Sequence, residues 1–188
     1  MFFNLPTLFT WARIGAIPLV VGVYYTSLPP ETQNLVGTAL FIVFALTDWA
    51  DGYLARKLNM TSSFGAFLDP VADKFLITAT LLVLVHLQRL HALVALVIIG
   101  REIAISALRE WMAQIGASRS VAVHILGKLK TVVQMVAIPF LLYHGTLFGL
   151  IDTQRWGTVL IWIAAVLTIW SMVYYLRKAL PEIRARVR

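Results

Sequence analysis

The sequence predicts an all-α integral membrane protein with six transmembrane helices plus a short N-terminal interfacial helix. Three observations predict this class. Hydrophobic residues make up 60% of the chain and charged residues only 13%, a balance that soluble domains do not show. The apolar residues fall into runs long enough to cross a hydrocarbon core of about 30 Å. Basic residues are concentrated at alternate ends of these runs, as cytoplasmic loops require.

The chain, residues 1–188, forms one predicted domain without a repeat or a linker. It contains no cysteine, which excludes a disulfide framework and a thiolate nucleophile. The net charge of +7 suits a cytoplasmic membrane surface and anionic substrates, because no soluble basic region is present to bind nucleic acid. We therefore expect the lipid bilayer as a partner, and no nucleic acid.

The chain begins with an amphipathic segment. Residues 2–11 place their apolar side chains near one helical face, and the segment is too short to span, so we predict that it lies in the interface. Arg13 ends this segment. The first span, residues 14–28, follows and stops at Pro29 and Pro30, which break the helix into an external loop.

The second and third spans form a predicted hairpin. The second span begins near Leu35 and reaches Asp48 after about thirteen residues, roughly 20 Å of helix rise, which places Asp48 in the cytoplasmic half of the membrane. A loop at residues 57–63 leads into the third span, residues 66–87, which returns outward. A tight outer turn is predicted at residues 88–91.

Three further spans complete the predicted bundle. The fourth covers residues 92–112, and the basic segment 118–130 leads into a fifth span that ends near Tyr143. After an outer loop at residues 144–155, the sixth span covers residues 156–175. An even number of spans, with most basic residues on one side, predicts that both termini are cytoplasmic.

Four carboxylates lie where the second and third spans meet: Asp48, Asp51, Asp69 and Asp73. The spacings i, i+3 and i, i+4 put each pair on one face of its helix. Four acids crowded in a medium of low dielectric constant must become protonated, pair with cations or bind metal. Because Mg²⁺ and Mn²⁺ prefer oxygen ligands, we predict one or two of these ions. A salt-bridged hairpin without metal and a proton relay are the alternatives.

The residues around the acids follow the pattern D-x2-D-G-x2-A-R-x8-G-x3-D-x3-D. Its fixed positions are Asp48, Asp51, Gly52, Ala55, Arg56, Gly65, Asp69 and Asp73. This pattern resembles the signature of the CDP-alcohol phosphatidyltransferases. The segments NLPTLFTWAR, REIAISALREWMA and GKLKTVVQM resemble bacterial members of that family that use glycerol 3-phosphate, so the resemblance covers essentially the whole chain.

The resemblance implies a reaction in which CDP-diacylglycerol and an alcohol give a phospholipid and CMP. It implies sn-glycerol 3-phosphate as the acceptor, with serine, choline or inositol phosphate as alternatives. It also implies a homodimer in the bacterial cytoplasmic (inner) membrane, with the active site on the cytoplasmic side. The rival from another class is a cation carrier or proton-coupled carrier, but such folds often show inverted repeats and midplane sites, which this sequence lacks.

The resemblance also implies roles for individual residues. Asp48, Asp51 and Asp69 would be metal ligands, and Asp73 would be both a ligand and the general base; the sequence by itself does not distinguish Asp73 from Asp69 as the base. The residues implied in binding the CDP-lipid are Asn4, Thr10, Arg13, Gly52, Ala55, Arg56 and Gly65. For the small residues among them, close helix packing is the alternative.

A separate basic pocket is expected for the acceptor, since a phosphate monoester carries nearly two negative charges. Its candidate residues are Arg109, Arg119, Lys128 and Lys130. The alternative for each is simple anchoring at the cytoplasmic face. Arg101 and Glu102 lie deeper, where a structural ion pair and a ligand role are equally open.

Overall fold

The computed structural model describes residues 5–58, 63–117 and 125–186. Within these ranges the chain consists almost entirely of α-helices, in the order that the apolar runs predict. The helical class is therefore confirmed for the described part of the chain, with corrections at both ends and at one connection.

The first helix, α1, runs from Leu5–Gly22 without interruption, and a short 3-10 turn, Val23–Tyr25, follows it. The prediction of a separate interfacial helix that ends at Arg13 is therefore wrong. Nothing between Pro6 and Gly15 interrupts a helix, and arginine is a good helix former. A single charged residue marks a change of polarity along α1, not its end.

Helices α2, Pro30–Leu58, and α3, Ser63–His86, follow. α2 begins earlier than expected because proline is well suited to the first helical position, where no N–H partner is needed. Glu31 in the first turn interacts favourably with the helix dipole. α2 continues unbroken through Asp48 to its end, so the first pair of acidic positions lies inside a long helix.

A tight turn connects α3 to the fourth helix, α4, Ala92–Gln114. Gln88 adopts a left-handed conformation with φ of 58°, and the Nδ1 atom of His91 accepts a hydrogen bond from the backbone N–H of Leu93 at 3.3 Å. This cap satisfies one of the free donors at the start of α4. The predicted turn at residues 88–91 is confirmed.

The last two helices are α5, Ile125–Tyr143, and α6, Thr153–Arg186. A small antiparallel hairpin joins them, in which β1, Thr146–Leu147, pairs with β2, Ile151–Asp152. Gly149 in its turn has φ of 69°, a conformation that glycine adopts at little cost. The expected loop at this connection is therefore partly a sheet, which corrects the strictly all-α prediction.

α6 extends well beyond the predicted end of the sixth span at residue 175. Ala179 is fully buried and Ile183 partly so, and both belong to a cluster with Ile105 and Met112 of α4. These contacts stabilise the extension and offset the cost of Pro181 inside the helix. The residues after the predicted sixth span are therefore helical through residue 186.

The core and the exterior of the bundle are both apolar. Buried residues from five helices include Phe41, Leu84, Ile98, Leu141 and Ile161. Large apolar side chains are also exposed on every α-helix of the described chain, for example Leu19, Leu46, Phe75, Leu96, Val132 and Val166. Exposed apolar surface on this scale is typical of helices that face lipid.

One helix of the described chain, Thr153–Arg184, is long and apolar enough to cross a membrane by length and composition, and an 18-residue stretch of it has a mean hydropathy of 2.1. The apolar stretch Ile14–Tyr25, which joins the second half of α1 to the 3-10 turn, is shorter. The count of six spans is not established by this test and stays a prediction.

Arg89, in the turn between α3 and α4, forms hydrogen bonds to several helices at one end of the bundle. Its Nη1 atom donates to the backbone carbonyl of Leu142 at 2.7 Å, and its Nη2 atom donates to Asn34 Oδ1 at 2.8 Å. The carbonyl of Arg89 itself accepts a bond from Gln154 Nε2 at 3.4 Å. Burial lowers the pKa of Arg89 from its ordinary value, but an arginine keeps its charge at neutral pH. The side chain of Arg89 therefore connects α2 and α5, and its backbone carbonyl adds a contact to α6.

Replacing Arg89 with methionine is expected to lower the stability of the purified protein by about 2–3 kcal/mol, because hydrogen bonds from a charged donor are lost and helix-end carbonyls are left unpaired. Thermal denaturation in detergent measures this. Arg155→Met is the matched control, since Arg155 is largely exposed and pairs with Asp152 in solvent, where ion pairs contribute about 0–1 kcal/mol. Equal loss in both variants would contradict the role of Arg89.

Candidate active site

The two acidic side chains of α3 lie on one helical face. Asp69 and Asp73 are four residues apart, and both are half-buried. Asp73 lines a narrow cleft together with Phe41, Phe44 and Ala45 of α2. Met135 of α5 also lines this cleft. α2 and α3 each pack against α1, and the meeting of all four acids in one hairpin stays a prediction.

The other two acidic positions lie further along α2. Asp48 and Asp51 follow Phe44 by four and seven residues on the same unbroken helix, a spacing that continues one helical face. α2 therefore leads from the cleft that Asp73 lines to the positions of Asp48 and Asp51. The side chains of these two residues lie outside the described part of the chain.

The predicted metal site is only partly described. Among the described residues, no group of three or more His, Asp or Glu side chains is arranged to hold an ion, and Asp48 and Asp51 fall outside that part. The donors that are described, Asp69 and Asp73, offer carboxylate oxygens, the ligand type that Mg²⁺ and Mn²⁺ prefer. The donor chemistry fits these ions, and the complete ligand set stays a prediction.

The residues predicted to bind the CDP-lipid belong to the first three helices. Asn4 lies outside the described residues. The others lie in helices whose backbone is described while their side chains are not: Thr10 and Arg13 in α1, Gly52, Ala55 and Arg56 in α2, and Gly65 in α3. α1 packs against both α2 and α3, so these positions share one group of helices with the acids.

A second set of charged residues is buried among α4, α5 and α6. Arg101 is 7% exposed and Lys130 1%. Glu102 lies between them, because its Oε1 atom accepts a hydrogen bond from Arg101 Nη1 at 3.3 Å and also pairs with Lys130. Arg101 Nη2 donates to Ser171 Oγ of α6 at 3.2 Å. The ion pair that the sequence left open is therefore present.

We call Arg101, Arg109 and Lys130 the basic cluster. Tyr175 of α6 contacts both of its arginines. Its side chain is fully buried, and the guanidinium carbons of Arg101 and Arg109 lie 5.8 Å and 5.1 Å from its ring centroid. A Cβ atom on Gly127 of α5 would lie 3.2 Å from the Tyr175 hydroxyl. Tyr175 and Ser171 were missed from the sequence, where the only signal is their i, i+4 placement on one face of an apolar helix.

The basic cluster has an excess of positive charge. Arg101 and Lys130 both pair with one acid, Glu102, while Arg109 lies against the Tyr175 ring. The Nε atoms of both arginines are buried without a hydrogen-bond partner in the described part of the chain. Leaving such a donor unpaired costs about 1–3 kcal/mol and more when it is charged. An anion is the ligand that this cluster suits.

The structure separates the four residues predicted for the acceptor pocket. Arg109 and Lys130 belong to the basic cluster, whereas Lys128 is exposed; residues two apart on a helix do not face each other. Arg119 lies outside the described residues. In the described part of the chain, Arg109 contacts Tyr175 and Lys130 pairs with Glu102. The acceptor role of all four residues stays a prediction.

Comparison with known proteins identifies the class. The family model described as CDP-alcohol phosphatidyltransferase matches residues 3–170, so the chain belongs to the CDP-alcohol phosphatidyltransferase family. A protein of Salmonella choleraesuis (strain SC-B67) is 48% identical over 181 residues, which cover 95% of this chain and 96% of the relative. A protein of Escherichia coli (strain K12) is 46% identical over 185 residues, with 97% and 98% covered. Both relatives are named CDP-diacylglycerol--glycerol-3-phosphate 3-phosphatidyltransferase. The family expected from the signature is confirmed.

Proposed function

We propose that this protein transfers the phosphatidyl group of CDP-diacylglycerol to sn-glycerol 3-phosphate, giving phosphatidylglycerophosphate and CMP. The observation that carries this proposal is the similarity of nearly the whole chain to relatives named for that reaction, at 46% and 48% identity. The described geometry supports it, because acidic side chains lie on α3 and an anion-binding cluster lies on α4, α5 and α6.

The acidic hairpin of α2 and α3 performs the chemical step in this proposal. Asp48, Asp51, Asp69 and Asp73 would hold one or two Mg²⁺ or Mn²⁺ ions. A divalent ion bound there would supply the positive charge that offsets the negative charge developing on CMP as it leaves. Asp73 accepts the proton of the acceptor hydroxyl. The oxygen of that hydroxyl forms a bond to the phosphatidyl phosphorus, and the bond from this phosphorus to CMP breaks.

The basic cluster binds the phosphate of the acceptor. Glu102 offsets one of the three charges of Arg101, Arg109 and Lys130. The remaining excess of about two positive charges matches the charge of about −1.5 to −2 on a phosphate monoester at pH 7. Lys74 follows Asp73 on α3 and acts on Glu102, so it links the acidic and basic parts of the site.

The CDP-lipid is proposed to bind where α1, α2 and α3 meet. Gly52, Ala55 and Gly65 carry little or no side chain, which lets a nucleotide approach the backbone. The polar residues proposed to contact the nucleotide or the diphosphate are Asn4, Thr10, Arg13 and Arg56. The acyl chains remain in the bilayer.

For the membrane arrangement, we propose six spans in the bacterial cytoplasmic membrane, with the site and both termini on the cytoplasmic side. The apolar exterior of the helices and the concentration of basic residues beside the site support this orientation. A homodimer stays a prediction from the family resemblance.

Purified protein in mixed micelles, supplied with CDP-diacylglycerol and Mg²⁺, provides the test. Isotopically labelled sn-glycerol 3-phosphate is expected to enter the lipid fraction with release of one CMP per acceptor. Serine, choline and inositol phosphate in excess are expected not to compete. Incorporation of one of those alcohols in place of glycerol 3-phosphate would overturn the proposed acceptor, and absence of CMP release with every acceptor would overturn the reaction.

A further inference from the structure

Two arginines that are distant along α4 converge on one aromatic ring. Arg101 and Arg109 are separated by about 12 Å of helix rise. Nevertheless, the guanidinium carbons lie 5.8 Å and 5.1 Å from the centroid of the Tyr175 ring. The two side chains therefore lean toward each other, and Tyr175 is their shared contact.

An aromatic ring holds a guanidinium differently from a carboxylate. The contact is made through the π face, so it fixes the cation without neutralising its charge and leaves its in-plane N–H groups free. Consistent with this, the Nε atoms of Arg101 and Arg109 are buried and lack a partner in the described residues. Arg101 already donates through Nη1 to Glu102 and through Nη2 to Ser171. The donors that the two arginines offer an anion therefore include both Nε–H groups.

The ring is itself held in place from two sides. Ser171, one turn before Tyr175 on α6, accepts a hydrogen bond from Arg101 at 3.2 Å and donates one to the carbonyl of Thr168 at 2.9 Å. On the α5 side, Gly127 leaves room for the Tyr175 hydroxyl, which would lie 3.2 Å from a Cβ there. The position of the ring is thus set by α5 and α6 before any ligand arrives.

We propose that Tyr175 is a positioning residue that fixes the spacing of Arg101 and Arg109 for the phosphate monoester of the acceptor. This inference rests on the proposed function, since it assigns the basic cluster to the acceptor phosphate. Without the ring, two flexible side chains must become ordered when the acceptor binds. The conformational entropy lost in this step lowers the affinity for the acceptor.

The test compares Tyr175→Leu with Tyr175→Phe by steady-state kinetics. Tyr175→Leu removes the π face and is expected to raise KM for sn-glycerol 3-phosphate by about tenfold, the scale of two cation–π contacts, with kcat and KM for CDP-diacylglycerol within about twofold. Tyr175→Phe keeps the ring and is expected to stay within about twofold in all three parameters. Tyr25→Leu is the control, because Tyr25 is exposed and its ring stacks on His86, away from the two arginines.

Other outcomes separate the inference from the proposed function. A purely structural role would change all three parameters together, and an equal effect of Tyr175→Phe would assign the effect to the hydroxyl; either result overturns the inference. Arg109→Ala tests whether the cluster binds the acceptor. If Arg109→Ala raises KM for the acceptor and Tyr175→Leu does not, only the positioning role fails. If Arg109→Ala also leaves that KM unchanged, the cluster is not the acceptor site and both assignments fail.

A second variant keeps the test decisive if Tyr175→Leu does not fold. Gly127→Ala places a methyl group against the Tyr175 hydroxyl and shifts the ring without removing it. It is expected to produce a smaller rise in the same KM, with kcat and the KM of the lipid unchanged. An unchanged KM for sn-glycerol 3-phosphate in a folded Gly127→Ala protein would also overturn the positioning role.

Discussion

The Asp73→Asn variant is expected to lower kcat by about a thousandfold or more, because the substitution removes a general base and weakens a metal ligand at once. An amide has nearly the shape of the carboxylate but does not accept the proton of the acceptor hydroxyl. Asp73 lines the cleft between α2 and α3, so the change is confined to the interface where the chemistry is proposed. Binding of CDP-diacylglycerol, to which other residues contribute, is expected to remain measurable.

Initial rates of CMP release and direct binding of the CDP-lipid measure these two quantities separately. Asp152→Asn makes the same chemical change in β2, where the carboxylate pairs with the exposed Arg155, and is expected to leave kcat within about twofold. Full activity of Asp73→Asn would remove Asp73 from the mechanism. If Asp69→Asn caused the greater loss, with partial activity left in Asp73→Asn, the role of base would pass to Asp69.

Removing divalent cations is the second change with a very large expected effect. The proposed site gathers four carboxylates, which would repel each other and the diphosphate unless cations offset their charge. We expect chelation to reduce phosphatidyl transfer by about a thousandfold or more, and Mg²⁺ or Mn²⁺ to restore it. The measurement is the rate of CMP release before chelation, after it and after metal is returned.

The controls for this experiment exclude trivial causes. Thermal denaturation of the chelated protein shows whether it remains folded, and the rate must return with added metal to exclude irreversible loss. An undiminished rate after complete removal of metal would leave the salt-bridged hairpin or the proton relay as the better description of the acids.

The elements that the sequence predicts well are those whose ends are marked locally. α3 and α4 are separated by a polar turn with Gln88 in a left-handed conformation, and both helices match their predicted spans closely. α1 does not match because Arg13, predicted as an end, is a good helix former. α6 does not match because its length depends on packing against distant residues. Ala179 and Ile183 extend α6 through contacts with α4, and no local pattern in the tail reveals such contacts.

The same distinction applies to the site. The acids are visible in the sequence because the proposed ligands lie on two consecutive helices at short, fixed spacings, even though Asp48 and Asp51 lie outside the described side chains. Tyr175 is not visible, since its partners on α4 are 66 and 74 residues earlier in the chain. A tyrosine near the end of an apolar helix resembles an interfacial anchor, and only the folded arrangement shows two guanidiniums on its ring.

Titration of the metal-stripped protein with Mn²⁺, followed by electron paramagnetic resonance with CDP-diacylglycerol present, tests the central claim most directly. The account predicts saturable binding of one or two ions per chain, lost in the Asp69→Asn, Asp73→Asn double variant and retained in Asp152→Asn. Saturable binding that survives in the double variant, or its absence from the wild-type protein, would contradict the claim that the α2–α3 hairpin holds the metal.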